Sequence, residues 1–141
     1  MMTPLVSLAR RVETEESSRE LDAEIAVAVY GGKIDWIVDG NVGESYPVRV
    51  YADTSGISAS GELQASVPRF TSSLDAAVSL VPNDLYWKAG RGRIHHEEPL
   101  GGCIIYRAGN HTDEIACGEG ANVPSAITAA ALRVIEAKGK M

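Results

Sequence analysis

The apolar and polar positions of this chain recur with two different periods, and the switches between them mark its elements. From Ser17 onward, Leu21, Ile25, Ala28 and Val29 fall at helical spacing and form one stripe. Ser17 and Glu20 have the spacing of a capping box, in which each side chain accepts a backbone N–H at the helix start. Gly31 and Gly32 stop the helix, because glycine adopts the left-handed conformation that closes helix ends. Ile34, Trp36 and Val38 then alternate with Asp35 and Asp39, which predicts a strand with one buried face.

A second helix follows, with Ser72 and Asp75 at its cap, Leu74, Ala77, Val78 and Val81 on its buried face, and Pro82 at its stop. On that reading Leu74→Ala truncates a buried side chain and destabilises the fold by about 2–5 kcal/mol. Three strands come next, Leu85 to Ala89, Gly101 to Ala108 and Asp113 to Gly118, with Gly109 and Asn110 as the turn between the last two. The final helix runs from about Pro124 to Lys138, with Asn122 as its cap and Pro124 in its first turn. Its apolar residues Ile127, Ala131, Leu132, Val134 and Ile135 cover more than a narrow stripe, which predicts burial on two sides or a subunit contact.

Two stretches are less regular. Residues 1–16 place Leu5, Leu8 and Val12 at helical spacing and read as an N-terminal arm or tail. Residues 40–66 read as an irregular insertion. Val48 and Val50 suggest a short edge strand there, with Pro47 tolerated at its start, and Ser55 to Gly61 is a Ser/Gly-rich loop. Runs of strands between helices, joined by short connections, predict a single α+β domain over residues 17–138.

Three blocks carry a family resemblance: Leu21 to Gly31, Val67 to Pro82, and Ser125 to Ile135. They resemble the phage ABA sandwich family, and Trp87 is in keeping with an aromatic residue found after the second block. Members are small proteins of tailed phages and prophages, mostly without known function. The resemblance implies a layered α/β/α sandwich with a mostly antiparallel sheet and three main helices, and a viral accessory role. It assigns no catalytic residue, and residues 1–16 and 40–66 fall outside it.

With 141 residues, 45% of them hydrophobic and 23% charged, the chain suits one soluble domain with a real core. A net charge of -6 argues against non-specific nucleic-acid binding, which depends on neutralising phosphates. Glu13, Glu15, Glu16 and Glu20 cluster as a solvated helix face. Cys103 and Cys117 lack metal-site spacing and read as small buried core residues. The sequence shows no signal peptide and no apolar run long enough for a membrane span, so the expected location is the host bacterial cytoplasm.

The run His95, His96, Glu97, Glu98 contains metal-ligating residue types. On a strand, however, it splits between two faces, and with Pro99, Gly101 and Gly102 beside it the run reads as an exposed turn. No metal, cofactor or catalytic residue is assigned, because no nucleophile–base–orienter set is visible. Anion binding has more support. Trp87, Lys88, Arg91, Arg93 and His95 lie within nine residues, interleaved with Gly90 and Gly92. On an extended segment Arg91, Arg93 and His95 share one side. Arginine forks suit phosphates, and Trp87 or Tyr86 suits a base. Arg69 and Phe70 complete the candidate set. Asn122 joins it at a helix N-terminus, where free N–H groups face an anion unless the residue is only the cap.

The functional expectation is a non-enzymatic phage accessory protein, a homo-oligomer, that binds a host molecule. The favoured ligand is an anionic small molecule, a cyclic or ADP-ribose-like nucleotide signal, which the protein sequesters. One alternative is an adaptor for a host protein that uses the 40–66 loop and the last helix. Another is a virion or assembly component. A third is a small enzyme degrading such a nucleotide, with Glu97, His95 and Asp113 beside the arginines.

Overall fold

In the computed structural model, which describes residues 4–38, 40–41, 43–91, 101–107 and 114–139, helices pack against antiparallel sheets. The elements are α1 (Pro4–Thr14), α2 (Arg19–Tyr30), β1 (Lys33–Val38), β2 (Ser45–Ala52), β3 (Glu62–Ser66), α3 (Leu74–Val78), β4 (Leu85–Arg91), β5 (Gly101–Arg107), β6 (Glu114–Gly120) and α4 (Val123–Gly139). The fold is therefore α+β and antiparallel, as the sequence pattern predicts, with its strands in two sheets ordered β1-β2-β3 and β4-β5-β6. Contacts divide the chain into two compact units, Met1–Ser18 with Arg69–Met141, and Arg19–Pro68.

The first unit is organised around α4, which packs on the β4-β5-β6 sheet and against α1 and α3. Every residue from Ser125 to Leu132 is buried, so the broad apolar surface of this helix is consumed within the unit. Glycine lets helix and sheet approach closely. A Cβ on Gly118 would lie 2.4 Å from the Ala126 carbonyl oxygen, and one on Gly101 would lie 2.3 Å from that of Asn122. Leu8, Ala9 and Val12 of α1 are buried, and α1 lies on α4 of the same chain. Residues 4–14 are thus an integral helix of this unit. Glu13 accepts from both terminal nitrogens of Arg133 and, at 2.9 Å, from the Glu119 backbone N–H, which ties α1 to α4 and β6.

In the second unit α2 packs on the β1-β2-β3 sheet. Gly31 and Gly32 close α2 with φ of +81° and +84°, and the Gly31 N–H bonds to the Val27 carbonyl. The irregular 40–66 stretch contains more order than its sequence suggests. β2 has eight residues and is the central strand, where the pattern predicted a short edge, and β3 was not predicted at all. Pro47 is accommodated because the ladder to β3 begins only at Val48, so on that side no ladder bond is lost. The 53–61 connection is the predicted loop. Asp53 anchors it by accepting from the Ser55 and Ser58 backbone N–H groups and the Ser55 hydroxyl.

Four local expectations are corrected. Ser73, not Ser72, caps α3 by accepting from the Ala76 N–H at 3.3 Å. Leu74 is the first residue of that five-residue helix and 49% exposed, and the buried side is formed by Ala77, Leu80 and Val81. Ser17 directs its hydroxyl to the Thr71 carbonyl instead of bonding Glu20 in a capping box. Cys117 is exposed, whereas Cys103 is buried as expected. The Gly109-Asn110 turn lies outside the described residues.

Urea unfolding should therefore show Leu74→Ala within about 0.5 kcal/mol of the parent, as for other surface changes. Leu132→Ala, at a fully buried position, should lose about 2–5 kcal/mol. The Asp53 carboxyl is lowered from 3.8 to about 2, chiefly by the Ser55 hydroxyl and then by the Ser58 N–H. Its folded-state value is depressed, so its contribution is present above pH 3.8 and is lost as pH falls through about 2. An NMR titration of the Asp53 carboxyl carbon should show a midpoint near 2, and a midpoint at 3.8 would mean the loop is not held.

Candidate functional site

The β4-β5-β6 sheet has two unlike faces, and its register shows why. Strand alternation puts Trp87, Ile105 and Ala116 in one cross-strand row, followed by Ala89, Cys103 and Gly118, then by the positions of Arg91, Gly101 and Gly120. This is the face that α4 covers, and its glycines are the ones a Cβ would drive into the helix.

The other face carries Lys88, Ile104 and Cys117 in one row, and Gly90, Gly102 and Glu119 in the next. Here a Cβ on Gly90 or Gly102 would meet nothing within 4 Å. Neither residue has positive φ. The two glycines sit opposite each other and floor a recess of about 470 Å³ whose walls include Lys88, Ile104, Cys117 and Glu119. The recess is open to solvent, and Glu114 and Glu119 line it together with Lys88. A smaller recess of about 240 Å³ lies among Glu13, Glu15, Glu16 and Glu119.

The residues singled out from sequence are distributed as follows. Trp87 is on β4, an edge strand, and is 38% exposed on the helix-bearing face. Lys88 belongs to the opposite face, so the aromatic and the cation adjacent in sequence are separated by the pleat. Arg91 ends β4 opposite Gly101. Arg93 and His95 lie outside the described residues, as do His96, Glu97, His111 and Asp113. Arg69 is exposed. Phe70 is a core residue with no exposed surface, and its carbonyl accepts from Thr128 at 2.8 Å, so its ring is committed to packing.

Asn122 is the α4 cap, with its side-chain oxygen accepting from the Ser125 N–H at 2.8 Å. Its amide nitrogen donates to Ser17 and to the Thr71 carbonyl. Both polar ends of that side chain are engaged within the protein. No group of three or more metal-ligating side chains occurs among the described residues.

Sequence reasoning missed the recess, because its walls come from three strands that are separate in sequence. One signal was available. Gly90 and Gly102 interrupt strand patterns, and a glycine inside a strand marks a bulge or a close approach by a ligand or another backbone.

The cysteines differ by face. Cys103 pairs in register with Gly118 and Cys117 with Ile104, so the thiols stand on opposite sides of the sheet and do not form a disulfide. Burial, with Cys117 nearby, pushes the Cys103 thiol up to about 12. Iodoacetamide at pH 8 should therefore alkylate Cys117 in the native protein and Cys103 only after denaturation. Equal labelling of both in the folded state would contradict this arrangement.

Among the described residues no helix is long and apolar enough to cross a membrane. No family model, no curated protein and no solved structure matches the chain.

Proposed function

We propose that this chain is a non-enzymatic accessory protein of phage type that sequesters an anionic, nucleotide-type small molecule in the cytoplasm of a bacterial host. The phage origin rests on the resemblance of the three helical blocks. The binding role rests on one observation, the glycine-floored recess with Lys88 at its wall. A flat base lies against bare backbone at Gly90 and Gly102, where any side chain would hold it off. Ile104 supplies apolar contact. The Lys88 ammonium pairs with a phosphate, and Glu119 accepts from ribose hydroxyls. This places the ligand on the face opposite Trp87 and at a distance from the buried Phe70.

The test is calorimetric titration of the purified protein with ADP-ribose and with cyclic dinucleotides, repeated on variants. One of these ligands should bind stoichiometrically. Lys88→Ala should weaken binding about tenfold, which corresponds to roughly 1.4 kcal/mol. Gly102→Val should abolish binding while leaving the thermal melt intact, since its Cβ enters open space. If Trp87→Ala abolishes binding and Gly102→Val does not, the ligand sits on the helix-bearing face. If no nucleotide binds, the small-molecule reading fails and a protein partner takes its place.

A further inference from the structure

The pleat of the β1-β2-β3 sheet sorts its side chains by charge. Its register puts Ile34, Arg49 and Ala65 in one cross-strand row, with Trp36 and Pro47 on one side of it and Tyr51 and Leu63 on the other. The acidic residues of the three strands, Asp35 and Glu62, fall on the opposite face, where Glu62 lies 3.8 Å from Lys33. Arg49 is therefore the only charge that these strands place on its own face. It is partly buried there, and aromatic rings hold its guanidinium. The central carbon lies 4.3 Å from the Tyr51 ring centroid and 5.4 Å from that of Tyr30, the last residue of α2. Ring quadrupoles offset a positive charge. They supply no oxygen for the five N–H donors of a guanidinium. Among the described residues Arg49 makes no hydrogen bond or ion pair. Arg19 and Arg133 differ in this respect, since each donates to a carboxylate and to a backbone carbonyl. Trp36 stands diagonally across the ladder from Arg49 and is 43% exposed. Diagonal neighbours in an antiparallel pair are within reach of aromatic and long side chains.

We propose that Arg49 anchors a ligand site that takes a flat aromatic molecule bearing an oxyanion, phosphate or carboxylate. The guanidinium fork receives two oxygens of the anion, a geometry that arginine matches and lysine does not. Tyr30 and Tyr51 fix the guanidinium beforehand, so little side-chain freedom is lost on binding. The exposed indole of Trp36 stacks the aromatic part of the ligand. The pleat keeps the carboxylates of these strands on the far face, so none of them opposes the anion. The site lies within the Arg19–Pro68 unit and does not rest on the recess of the other unit.

The probes are phenyl phosphate and benzoate, with inorganic phosphate and acetate for comparison. In the intact protein the Arg49 Nε–H resonance should shift on addition of one of the aromatic anions. In a Trp87→Phe background, where Trp36 is the remaining tryptophan, its fluorescence should change in the same titration. That aromatic anion should bind about tenfold more tightly than its non-aromatic counterpart. The tighter of the two aromatic probes identifies the oxyanion as phosphate or carboxylate. Arg49→Lys keeps the charge and removes the fork, so it should weaken binding about tenfold with an unchanged thermal melt. An Arg49 Nε–H resonance that neither aromatic anion moves overturns the inference, whether or not the variant folds. So does equal affinity for aromatic and non-aromatic anions, or equal affinity of the parent and Arg49→Lys proteins.

Discussion

The close approach of the α4 backbone to β5 and β6 is the constraint on which the first unit depends. Gly101, Gly118 and Gly120 have no space for a Cβ, because α4 and its N-terminal cap occupy that volume. Helix residues at this contact are correspondingly small, with Ala126, Ala129 and Ala130 all fully buried. Packing this tight is intolerant of volume change, since a protein interior has few voids to absorb it. It also buries polar groups of α4, which find partners on the segment before α3. Thr128 donates to the Phe70 carbonyl, and the Thr71 carbonyl accepts from Ser17, Asn122 and Ser125. Buried polar groups satisfied in this way fix one arrangement of the chain, because losing a partner leaves a desolvated donor or acceptor.

Charge performs a related task at the margins of each unit. Glu13 raises the pKa of Arg133 further above its ordinary value, chiefly by accepting its hydrogen bonds, and Arg133 also reaches the Cys117 carbonyl at 2.9 Å. One guanidinium thereby links α1, α4 and β6. In the second unit Arg19 pairs with the buried Asp22 at 2.8 Å and donates to the Val67 carbonyl at 2.7 Å. That bond holds the two ends of the unit together, where its chain enters and leaves. The planar fork of arginine suits both tasks, since it can bond a carboxylate and a carbonyl simultaneously.

The contrast between the two faces of the β4-β5-β6 sheet gives the outer recess its meaning. Glycine in a strand is unfavourable by roughly 0.5–1 kcal/mol relative to alanine, so it calls for a reason. On the inner face the reason is helix packing. On the outer face a Cβ on Gly90 or Gly102 would meet nothing within 4 Å, and neither glycine has positive φ, which is the observation behind the proposed ligand. In the other unit β1 carries Trp36 and Val38 as exposed apolar side chains.

The sequence by itself determined the helices with clear periods and stops, the antiparallel α+β class, the glycine closure of α2 and the Asn122 cap. These features are local. A stripe, a cap and a stop lie within a few residues of each other, and backbone sterics decide them. Tertiary structure alone decided which strands lie in which sheet, and it made β2 central despite Pro47. It moved Leu74 to the surface and Phe70 into the core. It also separated Trp87 from Lys88 across the pleat while bringing Lys88, Ile104 and Cys117 into one row. Burial depends on what lies opposite, and a pocket depends on strands brought together by turns. Neither is encoded in the neighbourhood of any one residue.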